Sequence, residues 1–225
     1  MYFQYAIWGA FFCCDNIFGC LILFDLHLLI VLLLMANLYI QDQTYTKQDF
    51  SKQPLPVGEY ENCIFKNCIF ENVDLSNMIF TECEFKDCNI STAKIVQTAF
   101  REVKFKTCKL LGLHFDNCNT FLLAVGFEDS ILNLSSFYKL NLKKTKFINC
   151  SLHEVDFTEA DLSHSTFDNC DLGGATFDHS IIEKADFRLA FNYIIDPESN
   201  KIKKAKFSSS GIIGLLNKYN IEIEN

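Results

Sequence analysis

The side chains in this sequence that could do chemistry are its thiols, imidazoles and carboxylates, and their spacing decides what they could do. There are 11 cysteines and 5 histidines. No two cysteines form a CxxC pair and no Cys/His spacing of the zinc type occurs. Cys68, Cys88 and Cys108 instead stand twenty residues apart, as do Cys63 and Cys83, and Cys150 and Cys170. If residues so spaced stack, their Cα atoms come within disulfide range, at about 4.8 Å. Their side chains would point the same way, however, and a cytosolic chain keeps thiols reduced, so they read as small buried hydrophobes. His114, His153, His164 and His179 lack ligand spacing. Acidic pairs are plentiful, but acid/base catalysis needs a cleft that shifts pKa values, and no phosphate loop, nucleophile elbow or zinc helix is present. The sequence therefore predicts no enzyme, no catalytic residues, no metal and no cofactor.

The elements that position these residues follow a period of five. Phe is over-used, at 23 residues against one Trp. Counting from Tyr60, every fifth residue is apolar through Phe65, Phe70, Leu75, Phe80, Phe85, Ile90, Ile95, Phe100, Phe105, Leu110 and Phe115. The register slips by two residues near 117–121 and resumes at Leu122, then runs from Phe127 to Phe187. After a break it catches Ile202, Phe207 and Ile212. Two residues before most centres stands a small residue, such as Cys83, Ala160 or Ser165, often preceded by Asn or Asp.

Neither a helix nor an ordinary strand has this period. A chain that turns a corner every five residues does, and four pentads close a square coil whose successive turns stack about 4.8 Å apart. Asn and Asp suit the corners because they tolerate left-handed backbone. Twenty-residue stacking then places Phe127, Phe147, Phe167, Phe187 and Phe207 in one ladder and Phe137, Phe157 and Phe177 in another, with aliphatic ladders between them.

The pattern resembles the pentapeptide-repeat family, whose signature A(D/N)LxX is matched at residues 160–164 and 185–189. The resemblance implies an all-β fold, a right-handed quadrilateral parallel β-helix over 60–207. Residues 35–59 read as an N-terminal cap. Residues 208–225 read as a C-terminal cap with a short helix: Ser208, Ser209 and Ser210 offer an N-cap cluster, Ile212, Ile213, Leu215, Leu216 and Tyr219 form its apolar face, and Ile221 and Ile223 alternate like an edge strand. A helix and strand closing such a coil is similar to the quinolone-resistance subgroup (Qnr and MfpA type), where the cap builds a homodimer and the protein mimics DNA toward gyrase.

Charge fits that resemblance. Net charge is −8, which argues against direct nucleic-acid binding. Residues 36–149 carry 13 acids and 13 bases, net zero, whereas 150–198 carry 11 acids and 2 bases, net −9. The acidic block includes Glu154, Asp156, Glu159, Asp161, Asp168, Asp171, Asp178, Glu183 and Asp186 and spans about 12 Å of axis, over which B-DNA carries about seven charges. The DNA-mimic reading requires these acids to gather on the surface without neutralisation by lysines of other coils. The sequence lacks the long inserted loops that contact the enzyme in some relatives. Another reading is a general interaction scaffold.

Residues 1–34 stand apart: they contain Asp15 and Asp25 and no Lys or Arg. Residues 16–35 are long enough to span a bilayer as an inner-membrane anchor, at a cost of roughly 2.5–3.5 kcal/mol for Asp25. The other reading is an upstream leader with translation starting at Met35, giving a cytoplasmic protein.

Overall fold

The structure, a computed structural model, describes residues 38–222. The proposed apolar segment 1–34 lies outside them, as does Ile223. No helix among the described residues is long and apolar enough to cross a membrane.

The described chain winds as a right-handed, four-sided parallel β-helix. Side 1 carries β1 (Leu38–Gln41), β3 (Gly58–Glu61), β5 (Ile79–Thr81) and β7 (Ala99–Arg101), paired in that order. Side 2 carries β2 (Thr44–Thr46), β4 (Ile64–Lys66), β6 (Glu84–Lys86), β8 (Val103–Lys106), β9 (Val125–Glu128), β10 (Lys146–Ile148) and β11 (Thr166–Asp168). Sides 3 and 4 are joined by single bridges such as Ile69↔Asn89 and Ser136↔Asp156. Partners differ by twenty residues, as in Phe65↔Phe85 and Phe147↔Phe167, so four pentads make each coil.

The corner explains the pentad. Asn62, Asn67, Asn72 and Asn77 each adopt a left-handed backbone, and so do Glu82, Asp87, Thr92 and Gln97 at equivalent positions. A left-handed L-residue costs roughly 1–2 kcal/mol, less for Asn. The ladder offsets this, because each corner N–H donates to the next coil: Asn62 to the Thr81 carbonyl at 2.9 Å, Glu82 to that of Arg101 at 2.8 Å.

Inside, rings pile up. Phe127, Phe147 and Phe167 stack with centroids 5.3 and 4.9 Å apart, and Phe137 and Phe157 at 5.4 Å. Alternation of aromatic and aliphatic sides holds from Phe127 onward. Before the insertion the long aromatic columns are on neighbouring sides, 1 and 2, with Phe80 meeting Phe85 edge-on at 5.3 Å, and side 3 adds the pair Phe50 and Phe70. Phe115 makes the changeover, touching Phe100 and stacking on Phe137.

The structure refines the sequence pattern at four places. The coil is already formed at Leu38, the first described residue, and not only from Tyr60, because Leu38–Gln41 pairs with Gly58–Glu61; the first described turn has Gln43 and Gln48 at the small-residue positions. Leu122 is no core centre: it is 63% exposed at a left-handed corner, and the partly buried Leu123 packs on the core instead. The register therefore shifts later, within 120–125, so that Phe105 pairs with Phe127 while Ala99 bridges Asn119. Ile212 is exposed and outside the coil. Finally, 192–200 breaks the apolar pattern without changing chain length, since Ile181 still bridges Lys201; Tyr193 and Ile195 are buried there.

Candidate functional site

All eight described cysteines are free and buried. Their thiols lie in the wall of the coil, and six of the eight donate to carbonyls of the preceding turn, among them Cys88 Sγ to Phe65 O at 3.2 Å, Cys108 Sγ to Phe85 O at 3.3 Å and Cys170 Sγ to Phe147 O at 3.3 Å. Burial pushes the Cys83 thiol up to about 12, so it stays protonated and unreactive at neutral pH. Among the described residues no group of three or more His, Cys, Asp or Glu could hold a metal ion. His153 pairs with Asp171 at 2.7 Å and His179 with Asp178 at 2.9 Å, both on the exterior.

The nine acids singled out from sequence do not share one side. Asp161 lies in a side 1 bridge with Ile181, and Glu183 follows two residues beyond it. Asp168 and Asp186 are on side 2, and Asp171 is on side 3. Asp156 and Asp178 are on side 4, which Glu154 and Glu159 flank at left-handed corners. Side 4 thus gathers four of the nine.

Several of the others serve the turns. Asp161 accepts the Ser163 amide at 3.1 Å, Asp171 that of Gly173 at 3.1 Å, and Asp186 that of Arg188 at 3.2 Å. A carboxylate that caps its own turn holds the corner. Bases also reach them: Lys143 lies 3.0 Å from Asp161, and Arg188 2.8 Å and Lys206 3.6 Å from Asp186. The bond from Arg188 holds the Asp186 carboxyl below its usual range. Burial opposes ionisation of Asp161, but the Ser163 and Lys143 bonds outweigh it and its pKa falls. On side 4, Asp156 also accepts the Thr158 amide at 2.9 Å, and Lys139 approaches Glu159 at 3.5 Å.

The C-terminal cap is a short helix, α1 (Ile213–Leu216), followed by a 3-10 turn, Asn217–Tyr219. The serine cluster does not cap it: the N-cap is Ile212, with no side-chain bond, while Ser208 Oγ accepts the Gly211 amide at 3.0 Å in the preceding turn. Lys218 ties the cap to the last coil through Asp196 at 2.7 Å and Glu198 at 2.6 Å. Gly211 and Gly214 abut Tyr193 so closely that a methyl on either would collide with it. Leu215 packs on the core, and Leu216 is half-buried. Ile212, Ile213, Tyr219 and Ile221 are exposed, as are Leu189 and Ile194 earlier in the chain. Ile221 and Glu222 are irregular and form no strand.

A chain of square coils with a left-handed corner every fifth residue defines a pentapeptide-repeat solenoid. The sequence profile described as "Pentapeptide repeat region" matches residues 59–124 and 120–190, more than half of the chain, and the chain belongs to this family. Among solved structures it is similar to a trypsin-treated variant of QnrB1, a plasmid-mediated fluoroquinolone resistance protein. The identity is 19% and the TM-score 0.43, over 83% of this chain and 100% of that one. It is also similar to HetL, a pentapeptide-repeat protein involved in heterocyst differentiation regulation from the cyanobacterium Nostoc sp. strain PCC 7120. There the identity is 12% and the TM-score 0.37, over 76% of this chain and 88% of that one. No curated protein matches the sequence.

Proposed function

We propose that the chain is a non-catalytic protein-interaction scaffold. The observation that carries this reading is the division of its side chains: the described thiols are sealed in the wall, while charged and polar groups repeat on the outside every coil. A solenoid built this way offers partners a rigid, extended surface.

The finer reading is that side 4 acts as a DNA mimic toward a type II topoisomerase (gyrase) in the cytoplasm. Asp156, Asp178 and Glu154 lie there without a lysine partner among the described residues, while Glu159 is paired with Lys139 of the preceding coil. The resemblance of the repeat and its short closing helix to the quinolone-resistance subgroup supports the choice of partner. The exposed Ile212, Ile213, Tyr219 and Ile221 support a homodimer through the cap, which would set two such sides along one axis. The test is gyrase supercoiling, with and without a quinolone, titrated with the protein. Binding should alter supercoiling or drug sensitivity, and Asp156→Lys with Asp178→Lys should weaken the effect by about tenfold or more through lost charge complementarity. No change in either assay, or an undiminished effect of the double variant, refutes the DNA-mimic reading and leaves the scaffold.

A further inference from the structure

Gly126 lies in the middle of β9, between Lys104 and Lys146 on the outer surface of side 2. Glycine inside a strand costs roughly 0.5–1 kcal/mol relative to Ala, and it marks a bulge, a bend or the close approach of another group. Its backbone is not left-handed, and a methyl there would meet nothing within 4 Å. Neither conformation nor internal packing accounts for it.

What Gly126 leaves is space. With Ala124 it floors an outward notch of about 520 Å³, a volume in the range of ligand sites. The wall on the preceding coils carries Glu82, Glu84, Glu102 and Lys104, and the wall on the following coil carries Lys144 and Lys146. At two other places an acid and a base on neighbouring coils close directly, Lys94 with Asp74 at 3.0 Å and Lys143 with Asp161 at 3.0 Å, whereas Glu84 and its register partner Lys104 do not. Here the intervening coil supplies no long side chain, so Glu102 and Lys144 stand two coils, about 10 Å, apart. None of Glu82, Glu84, Glu102, Lys104, Lys144 and Lys146 takes part in an ion pair among the described residues.

We propose that this notch binds an extended peptide segment of a partner protein that carries an acidic and a basic residue side by side. Neighbouring side chains of an extended strand point opposite ways, so one dipeptide step sets a carboxylate toward Lys144 and Lys146 and a cation toward Glu82 and Glu102. Glu82 and Glu102 on one wall and Lys144 and Lys146 on the other favour a ligand that carries both charges, with Lys104 beside Gly126 the one base on the acidic wall. The missing side chain at Gly126 lets the peptide backbone approach. The inference rests on the scaffold reading and is independent of gyrase, since the notch is on side 2 and the proposed DNA-mimic surface on side 4.

The experiment titrates the isotope-labelled full chain with the blocked tetrapeptide acetyl-Ala-Glu-Lys-Ala-amide and follows backbone amide shifts. Shifts should follow a binding isotherm at Val103, Lys104, Ala124 to Gly126 and Lys144 to Lys146, with a dissociation constant of roughly 30 mM or weaker for two screened ion pairs. Gly126→Trp, whose Cβ would meet nothing within 4 Å, should fill the notch and weaken binding about tenfold or more, with the remaining amide spectrum retained; Lys144→Glu with Lys146→Glu should do the same. The proposal is overturned if the peptide gives no shift that follows an isotherm, if Gly126→Trp binds it undiminished, or if inorganic phosphate or acetyl-Ala-Gln-Gln-Ala-amide gives the same shifts. Each of those results leaves the gyrase titration to decide the side 4 reading separately.

Discussion

Phe147→Ala measures how much of the fold is held by its column of rings. Phe147 is fully buried, stacked on Phe127 at 5.3 Å and on Phe167 at 4.9 Å, and met edge-on by Phe137 at 6.1 Å and Phe157 at 5.9 Å. Removing a buried Phe costs about 3–5 kcal/mol, and the four ring partners place this site at the upper end, near 5 kcal/mol, since each aromatic pair is worth about 0.5–1.5 kcal/mol beyond area. Phe147→Leu keeps most of the apolar volume but loses the ring geometry, so it should cost about 1–2 kcal/mol. Phe121→Ala is the control. That ring is 67% exposed, and its loss should change stability by less than about 0.5 kcal/mol. Urea unfolding followed by far-ultraviolet circular dichroism reads all three variants. If Phe147→Ala costs no more than Phe121→Ala, the stacked interior is not what stabilises the coil.

Three further outcomes follow from the same geometry. The eight described thiols should resist a water-soluble disulfide reagent in the native protein at pH 8 and react once it is denatured, because all are buried. Since burial raises the Cys83 pKa from 9.0 to about 12, the folded state holds the proton that the unfolded chain releases; stability is intact below pH 9 and falls as pH rises from 9 toward 12, by up to about 1.4 kcal/mol per pH unit for that thiol, and Cys83→Ser should flatten this slope in alkaline melts. Two glycines give the third. Gly214→Ala should displace the C-terminal cap from Tyr193, which light scattering would register as loss of the proposed dimer with the coil's dichroism retained. Gly174→Ala should cost about 1–2 kcal/mol in the same unfolding assay, since φ there is +71° and the new methyl would lie 3.2 Å from Glu154 Cγ.

The coil is legible in the sequence because each pentad repeats a local demand: a large residue for the interior, a small one beside it, and a residue for a left-handed corner. Where one demand lapses, the pattern misleads. Gln43 and Gln48 stand at small-residue positions of the first described turn, where both are exposed, so that coil reads as a cap. Leu122 has the type of a core residue but falls on a corner, and only pairing with the neighbouring coil shows that Leu123 goes inward. Tyr193 and Ile195 fill a coil whose expected centres, Asn192 and Pro197, are not apolar. The surface is less legible. A run of acids in the sequence winds around four sides, so net charge per segment says little about charge per side, and Asp161, Asp171 and Asp186 are turn acceptors as well as charges. The notch at Gly126 has a signal, a strand glycine between lysine-bearing pentads, but its meaning depends on what the adjacent coils place around it.

The spatial proximity of residues twenty apart tests the account most directly. Nuclear Overhauser contacts should link the rings of Phe147 with those of Phe127 and Phe167 and, across the insertion, Phe105 with Phe127, twenty-two residues away. Contacts between residues three and four apart through 60–207, with none at twenty, would contradict it.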